Sequence, residues 1–278
     1  MKIAYGTYGM PTESPATAFP KIKAMGYDGI ELCVWSQWPT APEKLDARDR
    51  RHLKALFREN DLEFVALLMH LNALYQESES GREVCSSLEE AFRLGEDLSD
   101  GHSPLVTTVL GGKPHNWERE RSILLGNLSA LGDIAAKHGS LLAIEPHTGS
   151  LVNHPERAVW LLEQLNHPNV RLNFDMSHFI VEGIPLDLCA RMLLPYTSYV
   201  HIKDARVQAD GSFEFLLPGE GDFDLVAWYT ALRDGGWDGF VTAEVSGHVR
   251  RRADYEPYAA ARACYEALRG ALDASHVA

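Results

Sequence analysis

The sequence predicts an α/β fold, a single (β/α)8 TIM barrel in which residues 1–278 form one domain, and three observations carry that reading. Short β-branched or apolar runs alternate with longer amphipathic stretches along the chain, as in repeated βα units around a parallel sheet. Eight such units can be counted in 278 residues, a length that a barrel fills without splitting. The loop after the first strand, Gly6-Thr7-Tyr8-Gly9-Met10-Pro11, does not match the glycine fingerprint that would open a dinucleotide-binding open sheet.

Taken in order, the strands are expected at Lys2–Tyr8, Gly29–Val34, Glu63–Met69, Leu105–Leu110, Leu141–Glu145, Arg171–Asp175, Ser198–Ile202 and Phe240–Glu244. Each is a short run in which β-branched or apolar residues dominate. The helices between and after them are expected at Pro15–Met25, Asp49–Asn60, Glu83–Leu98, Glu118–His138, Pro155–Leu165, Leu186–Leu193, Asp224–Asp234 and Tyr255–Ala274. Several open on Pro or Asp and close near Gly, His or Asn, as capping chemistry prefers. Gly26-Tyr27-Asp28-Gly29-Ile30 before the second strand is matched by Gly236-Trp237-Asp238-Gly239-Phe240 before the eighth, so one helix-to-strand turn is expected twice. No segment rich in Pro, Gly or Ser marks a domain boundary.

Hydrophobic residues make up 45% and charged residues 23%, enough apolar surface for a large core. Met1 to Met10 lacks a basic region followed by an apolar run, and no later segment has the length to span a bilayer, so a cytoplasmic protein without a membrane partner is expected. Cys33, Cys85, Cys189 and Cys264 contain no Cys-x-x-Cys pair, which argues for reduced, buried thiols. A formal net charge of −13 would repel a polyanion and weighs against nucleic acid as a partner.

Catalytic groups of such a barrel sit at the carboxyl ends of its strands. Each of the last four strands ends in a polar residue: Glu145, Asp175, His201 and Glu244. Taken singly, each has a structural reading: a loop glutamate, a helix cap before Ser177-His178, a satisfied core histidine, a surface glutamate. Their joint placement at four successive strand ends favours a site. Three carboxylates and an imidazole at one mouth would repel and desolvate one another, and one divalent cation resolves the conflict. The donor set suits Mn²⁺ first, then Mg²⁺ or Co²⁺, with Zn²⁺ also admissible.

Glu145-Pro146, Asp175-Met176-Ser177-His178, His201-Ile202-Lys203-Asp204 and the late Glu244, together with Gly26-Tyr27-Asp28-Gly29-Ile30-Glu31-Leu32, resemble the signature segments of the xylose-isomerase-like sugar isomerase/epimerase superfamily, in order and over nearly the whole chain. The resemblance implies a metal on Glu145, Asp175, His201 and Glu244, with Glu145 and Glu244 as catalytic bases on opposite faces of a ketose or keto-polyol. One would remove the proton beside a metal-bound carbonyl and the other return it to a cis-enediolate, with no organic cofactor. His178 and Arg206 match positions that hold substrate oxygens. Glu31, His70 and His115 are further substrate-binding candidates, and His147 and the aromatic rings of Trp35, Trp38 and Trp117 lie where they could complete the pocket or simply close loops. Family members are commonly dimers or tetramers, which implies a homo-oligomer.

Inosose dehydratases and related lyases share these segments, so a metal-dependent lyase or dehydratase acting on a keto-cyclitol or keto-glycoside is the alternative. Abasic-site endonucleases share the fold but need an Asp-x-His pair after the seventh strand, where this chain has Asp204-Ala205-Arg206. The loops Pro218–Asp222 and Ser246–Arg252 lie where barrels often hold phosphate, yet the first is acidic, and an unphosphorylated substrate is expected.

Overall fold

The computed structural model describes residues 1–75, 79–99 and 104–277. Ten strands run in chain order: β1 (Lys2–Gly6), β2 (Gly29–Cys33), β3 (Glu63–Leu68), β4 (Leu105–Val109), β5 (Leu141–Glu145), β6 (Val170–Asp175), β7 (Thr197–Ile202), β8 (Asp204–Val207), β9 (Phe213–Leu216) and β10 (Phe240–Ala243). Eight of them close a parallel barrel in the order β1-β10-β7-β6-β5-β4-β3-β2, so the predicted (β/α)8 fold is the one observed.

Among the described residues ten α-helices accompany them: α1 (Pro15–Met25), α2 (Ala47–Glu59), α3 (Glu79–Leu98), α4 (Trp117–Lys137), α5 (Pro155–Leu165), α6 (Ser177–Ile180), α7 (Leu186–Leu193), α8 (Leu225–Asp234), α9 (Gly247–Arg250) and α10 (Pro257–Ser275). Local chemistry sets their starts. The Ser14 hydroxyl accepts the Thr17 N–H ahead of Pro15, Asp46 and Asp49 form a reciprocal capping box at α2, and Asp224 accepts the Ala227 N–H at α8. The repeated helix-to-strand turn is real: Gly26 and Gly236 both take left-handed backbone, with φ of 110° and 83°. Helix α3 begins at Glu79, four residues ahead of the expected Glu83, because Glu79-Ser80-Gly81 carries no apolar periodicity for a sequence reading to detect.

Strand alternation separates an outer apolar core from the interior of the barrel. Leu142, Ile144, Leu172, Phe174, Val200, Ile202, Val241 and Ala243 point outward into the main core between barrel and helices. Ala66, Ala143 and Tyr199 form a small cluster of their own inside the barrel. Above that cluster the lumen turns polar. Glu31, Thr107, Asn173, His201 and Thr242 are fully buried, and Thr242 donates to the Tyr199 hydroxyl at 2.8 Å. A buried polar layer of this kind needs partners, and those partners build the site.

Strands β8 and β9 stand apart as an antiparallel hairpin just after β7. From the sequence, no strand is expected in this stretch. Asp210-Gly211, with Gly211 at φ 83°, turns the chain between them, and Gln208 N–H donates to Ser212 O at 2.7 Å. No helix of the described residues is long and apolar enough to cross a membrane.

Candidate metal centre

Register places the strand-end residues at the same end of the barrel. Asp175 of β6 and Thr242 of β10 both pair with His201 of β7, and Glu145 closes β5 opposite Val109. Glu145, Asp175, His201 and Glu244 are all buried. Nδ1 of His201 lies 3.6 Å from Glu145 Oε1 and 3.8 Å from Glu244 Oε2. Nε2 of His178 lies 3.6 Å from the same Glu145 oxygen and 4.0 Å from Asp175 Oδ2. The residues thus form two triads of metal-ligand geometry that share Glu145: Glu145, His201 and Glu244, and Glu145, Asp175 and His178.

The sequence reading missed Lys203, which lies at the centre of this group. Its ammonium bridges Asp175 Oδ2 and Glu244 Oε2, with the second contact at 2.5 Å, and stands 4.0 Å from Glu145 Oε1. The signal was available: Lys203 is two residues beyond His201 on the same chain direction, so alternation points both side chains into the lumen. Burial alone would depress the Lys203 pKa, but the surrounding carboxylates raise it and keep the ammonium charged.

The same field sets the other groups. Burial opposes ionisation of Glu145, yet the Lys203 charge and the nearby His178 and His201 rings hold its pKa well below the usual carboxylate range. Asp175 is lowered as well, with burial opposed chiefly by Lys203. Burial works against a charged His201, but Glu31 and Glu145 override it and push its pKa well up. His147, whose ring lies 3.9 Å from that of His178, is pushed down to about 3 by burial and by that neighbour.

Several candidates sit elsewhere than expected. Glu31 is fully buried at β2. Its two oxygens accept from His201 Nε2 at 3.0 and 2.9 Å, and one also accepts from Thr107 Oγ1 at 2.9 Å, because only an inward-facing β2 residue can reach across the lumen to β7. Arg206 is half-exposed on β8, donating to Glu220 O at 2.6 Å and paired with Asp222, so the acidic Pro218–Asp222 loop draws it away from the centre. His115 is exposed in the single turn Pro114–Asn116. His70 follows β3 at the barrel mouth, with its ring 4.0 Å from that of Trp35 and 6.4 Å from that of Tyr8. Trp38 donates its indole N–H to Thr7 O at 2.9 Å and Trp117 packs on Trp160, so both close loops.

Asp204 completes the layout. Its buried carboxylate accepts four backbone N–H groups, from Ala205, Gly219, Gly221 and Phe223, at 2.8 to 3.2 Å. This ties the segment after β9 beneath the hairpin, which in turn sets the Phe215 ring 5.3 Å from the Lys203 ammonium and 5.0 Å from the His178 ring.

A cation fits these donors. Glu145 Oε1 and both ring nitrogens of His178 are buried without a hydrogen-bond partner among the described residues, an arrangement that costs free energy unless a ligand satisfies it. Glu31 holds the His201 ring through Nε2, while Nδ1 meets the Asn173 amide at 2.9 Å and has the two glutamates just beyond it, so the ring is oriented by a carboxylate as metal-binding imidazoles commonly are.

A family model described as xylose isomerase-like TIM barrel matches residues 19–268. An inosose dehydratase of Lacticaseibacillus casei is 25% identical over 270 residues, covering 86% of this chain and 84% of that one. The alignment with the inosose dehydratase of Geobacillus thermodenitrificans, by contrast, covers only 52% of that protein. Among solved structures, the IOLI protein with a bound zinc atom superposes with a TM-score of 0.82 at 19% identity, covering 99% of both chains. The 3-keto-D-glucoside 4-epimerase YcjR from E. coli does so with a TM-score of 0.76 at 20% identity, covering 97% of this chain and 99% of its own. Likeness at that identity establishes the fold.

Proposed function

The chain belongs to the xylose isomerase-like TIM barrel family, and from that premise we propose that it is a divalent-metal-dependent enzyme that moves a proton beside the carbonyl of a ketose or keto-polyol. Glu145, Asp175, His201 and Glu244 would hold the cation, with His178 within reach of the same space. The observation that carries the reading is that Glu145 and Glu244 both lie close to His201 Nδ1, at 3.6 and 3.8 Å, with one Glu145 oxygen buried and unpartnered.

A bound cation, Mn²⁺ by preference, would supply positive charge at the carbonyl oxygen and so acidify the neighbouring carbon. Glu145, ionised because its pKa is held low, accepts the carbon-bound proton. Glu244, once protonated, would deliver its proton to the opposite face and become the carboxylate, the configuration at that carbon inverts, and proton exchange with solvent restores both glutamates. His178 orients a substrate oxygen, and Phe215 excludes water from the side of the hairpin.

Lys203 favours a second reading. A charged ammonium held between Asp175 and Glu244 is placed to protonate a β-hydroxyl as its C–O bond breaks, so that Glu145 takes the α proton and water departs. That is a dehydratase, the reaction class in the name of the L. casei relative.

The test is metal-stripped protein restored with Mn²⁺ and offered ketoses and keto-cyclitols in D₂O, followed by NMR. Deuterium entering at carbon with an epimer as product, lost in Glu145→Gln and Glu244→Gln, supports the isomerase reading. An unsaturated product transfers the site to the lyase class. Exchange that is indifferent to metal or to either glutamate refutes both.

A further inference from the structure

A cleft of about 850 Å³ opens at the barrel mouth where the chain leaves β2 and β3. Trp35 after β2, His70 and Tyr75 after β3, and Glu83 and Glu90 on α3 form its walls, with Glu43 at one edge. Trp35 and His70 bring the cleft to the barrel mouth: Trp35 stands four residues beyond Glu31, which holds His201, and the His70 ring lies 4.0 Å from the Trp35 ring.

Size and chemistry restrict the guest. Ordinary ligand sites offer roughly 300–1,000 Å³, and a monosaccharide of about a dozen heavy atoms would leave most of this one empty. Among the described lining residues there is no Lys or Arg, and three are glutamates, so a phosphate or carboxylate would meet repulsion without a counter-charge. Aromatic faces next to carboxylates suit a polyhydroxylated ring, which has apolar C–H faces and many O–H donors. Trp35 is held in place by edge contacts to Tyr8 and Trp38 at 5.4 and 5.3 Å, and its buried indole N–H has no acceptor among the described residues.

We infer that the substrate is a neutral keto-glycoside, with its keto ring at Glu145 and Glu244 and its glycosidic partner seated in this cleft. The placement of the keto ring rests on the proton-transfer reading above; binding of the partner unit in the cleft does not.

Binding to the Mn²⁺-loaded protein is measured by calorimetry with four non-reacting probes: glucose, cellobiose, phenyl β-D-glucoside and glucose 6-phosphate. The two glycosides are expected to bind at least tenfold tighter than glucose, and glucose 6-phosphate no tighter than glucose. Ser87→Trp, at an exposed α3 position on the cleft wall, should abolish the glycoside advantage and leave glucose binding unchanged. Trp35→Ala should reduce that advantage. Equal binding of glucose and cellobiose, no binding by any probe, tighter binding of glucose 6-phosphate, or indifference to Ser87→Trp would each overturn the inference. Failure of the proton-transfer reading would appear differently, as intact glycoside preference without deuterium exchange from any keto sugar.

Discussion

Glu31 and His201 are 170 positions apart in the chain, yet Nε2 of the imidazole lies 3.0 and 2.9 Å from the two carboxylate oxygens, both residues fully buried. The bond crosses the lumen from β2 to β7 and is braced by Thr107, whose hydroxyl donates to Glu31 at 2.9 Å. It fixes which His201 nitrogen faces Glu145 and Glu244. Removing it leaves the ring held only through Nδ1, by the Asn173 amide at 2.9 Å. Glu31→Ala is expected to weaken Mn²⁺ or Zn²⁺ binding by about 10- to 100-fold, with partial recovery in Glu31→Gln, which can still accept the Nε2 proton. Competition against a chromogenic chelator measures this, and unchanged affinity in Glu31→Ala would reduce Glu31 to a packing role.

His201 must give up its Nδ1 proton when it takes a cation. Its pKa lies well above the ordinary value: burial pulls it down, but Glu31 and Glu145 more than compensate, so the ring is protonated at neutral pH. The sign follows directly. Below that raised pKa each binding event releases a proton, so metal affinity climbs with pH by up to about one log unit per pH unit and levels off above it. Calorimetry at pH 7 in buffers of different ionisation enthalpy should return close to one proton released per cation. A heat independent of buffer would remove this account.

Lys203 neutralises Asp175 and Glu244 in the metal-free protein. Lys203→Met leaves these buried carboxylates facing one another, and a loss of about 3–5 kcal/mol in unfolding free energy is expected without metal. Saturating divalent cation should recover part of that loss, more than it adds to the unsubstituted protein. Denaturant titrations with and without Mn²⁺ decide the point. A Lys203→Met protein as stable as the parent would show that the ammonium is not balancing the cluster.

Asp204 gathers four backbone N–H groups on one buried carboxylate. Asp204→Ala orphans them and should cost at least about 2 kcal/mol. Gly221→Ala should act similarly, since an added Cβ would lie 2.1 Å from Asp204 Oδ1 and 2.5 Å from Ala205 O. Hydrogen exchange should accelerate across residues 217–223 in both variants, with the barrel strands unaffected. Uniform acceleration throughout the protein would indicate global rather than local loss.

The readable parts of this protein were those written in short-range pattern. Leu141–Glu145 ends an apolar run on a carboxylate, and that local contrast marked Glu145 as a strand-end group before any packing was known. The hairpin was legible only through Asp210-Gly211 and the alternation of Phe213 and Phe215, which is too brief to stand out from a loop. Arg206 was placed by resemblance, and its own neighbours, Glu220 and Asp222, decided its direction.

By itself the sequence determined the eight-stranded barrel and the four polar strand ends, because residue spacing along a strand or helix fixes which side chains share a face. Tertiary structure decided what those faces meet. Whether Glu31 would touch substrate or hold His201, and whether Lys203 would reach solvent or lie between Asp175 and Glu244, depends on strands brought together by closure of the barrel and on a register set by core packing. A short polar side chain in a sequence carries no mark of the partner it will find across a lumen, since that distance is set by the whole sheet.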